Sequence, residues 1–232
     1  MIQNILELWY WMIVLAIMAG AAVYFAVCYV RNLWRTLNNR LPDEHSALSA
    51  ERIREPYSKR MVIVHWLSLA LLVAAWYLGD TLVDERNEKS ATMAGYLAHA
   101  LVGGAVLIAT IMRMIYRSLD NIPQPVSNSL MGMIAKEIHQ TLYFLLVLLP
   151  LTGFMTLLTS GVGVALVTID AKLLPEKYSG PSAMAHVTHD TLMTVLMAVA
   201  AAHILGAFWH QFIIKDGLLG RMSLRRKGRR PV

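Results

Sequence analysis

One cysteine, Cys28, stands in a chain of 232 residues. Its solitude excludes an internal disulfide, a Cys-x-x-Cys-His attachment for a covalently bound haem and a thiolate set for an iron–sulfur cluster. Charge is scarce as well, Asp, Glu, Lys and Arg together making 16% of the residues. Internal repeats and low-complexity tracts are absent, and the only long polar connections run over residues 31–59 and 160–188. A cleavable secretion signal is not indicated. The first apolar stretch is led by Glu7 without Lys or Arg, and no A-x-A site follows it, so it reads as a permanent helix.

What the chain has in excess is apolar surface. Hydrophobic residues reach 56% and the mean hydropathy is +0.49, beyond what the core of a soluble domain of this size requires. Five stretches, near 8–30, 60–79, 97–116, 139–159 and 190–214, are long enough to cross a hydrocarbon layer of about 30 Å at about 1.5 Å rise per residue. The expected fold class is therefore an all-α integral membrane protein. The 31–59 connection separates the first span (residues 1–40 with the start of its loop) from the rest (41–232), which can form a four-helix bundle by itself.

Basic residues are retained on the cytoplasmic side of short connections. Arg31, Arg35, Arg40, Arg52, Arg54, Lys59 and Arg60 crowd the first connection, and Lys215, Arg221, Arg225, Arg226, Lys227, Arg229 and Arg230 crowd the tail. The stretch after Gly79 is acidic instead, with Asp80, Asp84, Glu85 and Glu88. Five spans with the N-terminus outside and the C-terminus inside satisfy this alternation, and Trp9, Tyr10 and Trp11 suit an interfacial belt. The net charge of +6 thus belongs to membrane ends and anionic lipid. No aromatic–basic interleaving or other nucleic-acid motif accompanies it.

Seven of the eight histidines lie in or beside spans, where polar side chains are costly and face a partner in the bundle interior. His65 sits toward the cytoplasmic end of its span, and His99 near the outer start of the next. On the last span His189 and His203 are 14 residues apart, about 21 Å of rise and roughly 40° short of four turns, so both point to nearly one side. Depth pairs His99 with His189 near the outer surface and His65 with His203 toward the cytoplasm. Each pair can clamp a haem iron axially, and Gly103, Gly104, Ala200, Ala201 and Ala202 leave room for a flat macrocycle. Polar glue between helices is the competing reading. Zinc would want three or four ligands at one depth. His186 competes with His189 as the outer ligand, His45 sits in a charged loop, and the scattered methionines read as packing.

These residues carry a resemblance. Tyr57, Ser58, His65 and Trp66 in YSKRMVIVHW, the helix from His99 through its glycines to Arg113, IHQTLYFLLVLLPLTGFM with His139, Pro150 and Gly153, and His189, His203 and His210 before KDGLLGRM resemble the bacterial cytochrome b561 family over about residues 57–224. The family comprises small four-helix, di-haem, quinone-linked cytochromes of the bacterial inner membrane. The resemblance implies two haem b groups, ligated by His99/His189 and His65/His203, and ubiquinone as substrate. His210 matches a family position seven residues beyond His203, where quinone chemistry or mere headgroup contact would both suit it. Lys215 at the helix exit is a further candidate at the quinone side. Arg113 can meet a haem propionate or snorkel to the surface with Arg117. The chain departs from the pattern in its additional first span, and in Gln211 and Ile214, where one member has a second histidine and a tryptophan.

The expected activity is electron transfer from a periplasmic-side donor to the ubiquinone pool. Similarity to superoxide oxidase-type members implies superoxide:quinone oxidoreductase chemistry, with Arg86, Lys89, Lys172 and Lys177 attracting the anion. A periplasmic redox protein is the other donor. The alternative is a membrane-anchor cytochrome subunit of a larger dehydrogenase or respiratory complex, docked through the first helix and running from quinol outward.

Overall fold

The computed structural model describes residues 56–120 and 130–224, together with Met12. The first expected span, the 40/41 division, Cys28 and His45 lie outside the described residues, Met12 apart. Within them the chain is helical and holds no strand.

Among the described residues four helices are long and apolar enough to cross a membrane. α1 spans Lys59–Asn87, α2 Met93–Leu119, α3 Leu130–Ser160 and α5 Pro181–Trp209, with a short α4, Val162–Thr168, between the last two. Side-chain caps start the first two: Ser58 accepts from the Met61 N–H at 3.3 Å and Thr92 from the Gly95 N–H at 3.1 Å. Pro181 opens α5, where a missing N–H costs nothing. Pro150 sits inside α3 without ending it. Gly161, in the left-handed region at φ 81, turns the chain from α3 into α4, a conformation that side chains resist.

The helices outrun the spans expected from hydropathy. The acidic run after Gly79 is not a loop but two further turns of α1, because no Gly or Pro interrupts residues 80–87 and charge ends an apolar span without ending a helix. For the same reason α5 begins at Pro181, nine residues before its apolar stretch, and the 160–188 connection contains α4 and a 3₁₀ turn at Ala171–Leu173. His99 and His189 consequently lie within their helices, not at their first turns.

α1 packs along α2, α3 along α5, and α2 meets α3. The buried core is small and central: Val106, Leu145, Leu146, Leu149 and Leu196, flanked by Leu71, Leu72, Ala75, Leu142, Phe144, Leu192, Met193 and Val199. Around it the outward faces remain apolar, with Leu101, Ile108, Leu119 and Leu205 all exposed. Lipid tails make such faces unremarkable in a bilayer and leave close packing to the interior. Buried hydroxyls in these helices bond to carbonyls of their own helix, as Ser68 does to Val64 and Thr110 to Val106.

At the Tyr57 end the chain closes on itself. After α5 a 3₁₀ helix, Leu218–Met222, folds back so that the Tyr57 N–H donates to the Arg221 carbonyl at 3.1 Å and the Trp66 indole to the Met222 carbonyl at 3.0 Å. Arg60 and Ser58 both bond the Asp120 carboxylate, fastening the start of α1 to the end of α2.

Candidate histidine layers

Helical periodicity repeats one device on every core helix. His65 and Gly79 on α1, His99 and Arg113 on α2, His139 and Gly153 on α3, and His189 and His203 on α5 are each 14 residues apart. Four turns separate the members of each pair, so each helix offers one residue to each of two layers on one face.

The layer nearer the α1–α2 connection holds His99 and His189, their ring centroids 6.1 Å apart. Two glycines admit them. A Cβ added to Gly79 would lie 3.0 Å from His99 Cε1, and one on Gly153 would lie 3.0 Å from His189 Cε1. The missing side chains open the carbonyls one turn earlier: His99 Nδ1 donates to the Ala75 carbonyl at 3.1 Å and His189 Nδ1 to the Leu149 carbonyl at 3.0 Å. Thr152 Oγ1 is also 3.1 Å from His189 Nδ1. With Nδ1 so engaged, Nε2 is the nitrogen left with a lone pair, which is how backbone partners orient histidine for a metal. Gly79, Ala75 and Thr152 were missed as site residues in the sequence. The signal for Gly79 was available in its spacing from His65.

The second layer holds His65 and His203, their centroids 6.4 Å apart. His139 lies closer to His203, at 4.9 Å, and its Nδ1 is bound to the Ala135 carbonyl of its own helix at 2.6 Å. His65 Nδ1 is buried without a partner, as is Arg113 Nε. Arg113 acts electrostatically on His65, His139 and His203 and stands 5.2 Å over the Tyr143 ring, so it faces this layer instead of reaching away from it.

A metal–imidazole bond is about 2 Å long, so two imidazoles on opposite sides of one ion bring their centroids to roughly 6 Å. The His99/His189 and His65/His203 separations meet that requirement, and the 4.9 Å of His139/His203 is too short for it. Among the described residues no three or more His, Cys, Asp or Glu converge as a metal site. A metal held by such pairs must bring its own equatorial ligands, as a porphyrin does. Space fits too: a Cβ on half-buried Gly103 or Gly104 would meet nothing within 4 Å.

The other candidates fall elsewhere. His186 is engaged with other partners, its Nδ1 3.0 Å from Asp190 Oδ2 and its ring 4.6 Å from that of Tyr178. Arg86, expected among surface charges, lies 3.6 Å over the Tyr178 ring, and burial together with Tyr96 pushes the Tyr178 phenol above its ordinary range. His210 forms one turn with exposed Lys215, and its Nδ1 lies 2.6 Å from Asp216 Oδ2. Gln211 and Ile214 belong to the same turn.

Residues 56–223 match the family model described as prokaryotic cytochrome b561. Cytochrome b562 of Cereibacter sphaeroides is 26% identical over 175 residues, covering 73% of this chain and 96% of the relative. Cytochrome b561 homolog 1 of Escherichia coli strain K12 is 28% identical over 179 residues, covering 74% of this chain and 98% of the relative. Four apolar helices of membrane length carry the matched region. The chain belongs to the prokaryotic cytochrome b561 family, and is a multi-pass, haem-binding electron-transport protein of the bacterial inner membrane.

Proposed function

We propose that this protein passes electrons from a periplasmic-side donor to ubiquinone through two haem b groups, one held by His99 and His189 and one by His65 and His203. The observation that carries the reading is the pair of facing imidazoles in each layer, 6.1 and 6.4 Å apart, on either side of the apolar core. The haems supply one-electron redox chemistry. The protein supplies distance, orientation and charge. The layers are four helical turns apart, about 21 Å along α5. Ala75 and Leu149 hold the outer imidazoles through their Nδ1 protons, and Arg113 offers its unpaired Nε–H to a propionate of the inner haem.

Basic residues orient the molecule with the Tyr57 and Arg221 end in the cytoplasm. His210, seven residues beyond His203 and just past the end of α5, then serves quinone at that side, with Lys215 in the same turn. The donor is superoxide or a periplasmic redox protein. Arg86 is committed to Tyr178, so electrostatic attraction of an anion falls to Lys89, Lys172 and Lys177.

The test is a reduced-minus-oxidised optical spectrum with pyridine haemochrome quantification on the purified protein and on His65→Ala, His99→Ala, His189→Ala and His203→Ala. Two b haems per chain are expected, with His99→Ala and His189→Ala losing one spectral component and His65→Ala and His203→Ala the other. A colourless protein after haem supplementation refutes the reading. Quinone reduction by the isolated chain with superoxide as the sole reductant separates the two donors.

A further inference from the structure

The last membrane helix widens before it ends. From His210 to Ile214 the chain makes one π turn, and Lys215 closes it in the left-handed region at φ 59, its N–H donating to the His210 carbonyl at 2.8 Å. A left-handed lysine carries strain that glycine would avoid, and single π turns concentrate at functional sites. The detour delivers Asp216 back onto the helix. Its Oδ1 accepts the Leu218 N–H at 3.0 Å, and its Oδ2 lies 2.6 Å from His210 Nδ1. Both side chains are largely covered, with 26% of His210 and 19% of Asp216 exposed.

An ionised carboxylate only accepts hydrogen bonds, so the proton between them sits on His210 Nδ1. The Leu218 N–H fixes the carboxylate and the carboxylate fixes the ring. Nε2 is left as the nitrogen with a free lone pair. We propose that Asp216 is a positioning residue that holds His210 in the Nδ1–H form and presents Nε2 as the atom that exchanges protons with quinone. The proposal rests on the quinone reading of His210 given above.

The balance is simple. One ubiquinone takes up two electrons and two protons to become ubiquinol. The electrons arrive through the transfer chain already described. Protonated His210 gives one proton from Nε2 to a quinone oxygen, keeps the Nδ1 proton on Asp216, and regains the lost proton from cytoplasmic water, which also supplies the second proton to the other quinone oxygen. The carboxylate holds the Nδ1–H tautomer once the proton has left. An amide in its place still accepts from Leu218 but offers an N–H to the ring, which favours the opposite tautomer with the proton on Nε2.

The experiment uses the haem-loaded protein reduced beforehand and mixed with a short-chain ubiquinone, following reoxidation over a range of quinone concentrations. Asp216→Asn is expected to lower the maximal rate about 10- to 100-fold with little change in half-saturating quinone and no change in haem content. Asp216→Glu should recover most of the rate. In parallel, ¹⁵N-histidine spectra, with the His210 signals assigned by their loss in His210→Gln, should show the Nδ1–H form in the native protein and its displacement in Asp216→Asn. An Nε2–H form in the native protein overturns the proposal even if the variant fails to assemble. A changed tautomer with an unchanged rate overturns it too. Full reoxidation by His210→Gln removes the quinone reading itself, whereas a slow His210→Gln beside a native-like Asp216→Asn removes only the role of Asp216.

Discussion

Replacing Gly79 with alanine adds three hydrogens' worth of bulk around one carbon and should cost the protein a haem. The new Cβ would stand 3.0 Å from His99 Cε1 and 3.4 Å from Nδ1. That approach is tighter than side chains ordinarily make, so the imidazole must give by a few tenths of an ångström. Retreat disturbs the 3.1 Å bond from Nδ1 to the Ala75 carbonyl and shifts the ring relative to that of His189. Partners of ligating histidines are worth about 10- to 100-fold in metal affinity, so a displaced His99 would hold a haem less well. Gly153→Ala meets His189 at the same 3.0 Å from the opposite helix, so the two variants should lose the same component. Gly220→Ala, whose Cβ meets nothing within 4 Å, is the control. The assay is haem per chain by pyridine haemochrome, with a redox titration resolving the two components. Two haems with native spectra in Gly79→Ala and Gly153→Ala would refute the argument from the glycine notches.

Arg113→Gln should lower the midpoint potential of the haem proposed at His65 and His203, and not of the other, in an optical redox titration. A charge about 8 Å away at an effective dielectric constant of about 20 contributes about 2 kcal/mol, an upper limit of roughly 90 mV for one electron. Leu196→Ala, opening the fully buried centre between the layers, should destabilise the bundle by about 2–5 kcal/mol in detergent-unfolding measurements. Arg60 first, then Ser58, hold the Asp120 carboxyl below the ordinary carboxylate range, so its stabilisation is present above the unfolded pKa of about 3.9 and fades as pH falls below it. Thermal melts should therefore separate Asp120→Asn from the native protein at pH 7 and converge as pH falls through the lowered pKa of the folded Asp120. Arg86→Ala should speed trypsin cleavage at Lys172 and Lys177 about fivefold, the effect of losing about 1 kcal/mol of cation–π contact with Tyr178.

Much of this protein is legible without coordinates because a bilayer imposes few solutions. Apolar length and the placement of arginine and lysine mark the four described membrane helices, and histidine is rare enough in spans that the 14-residue step from His189 to His203 stands out. The helix ends were not legible from hydropathy. Asp80, Asp84 and Glu85 leave the apolar layer yet continue α1, since backbone hydrogen bonding follows local propensity and not the membrane boundary. The same mismatch hid the early start of α5 at Pro181.

What the sequence by itself determined is periodic: which residues share a helix face and which depth they reach, since rise and turn per residue are constants of the α-helix. Only the tertiary structure decided which faces meet. It set His99 against the notch of Gly79 and His189 against that of Gly153, turned His186 to Asp190, and brought His139 beside His203. It also bent the chain after His210 through a π turn that returns Asp216 to the ring. Those contacts join residues far apart in the chain, or depend on a departure from regular helix, and packing between helices decides both.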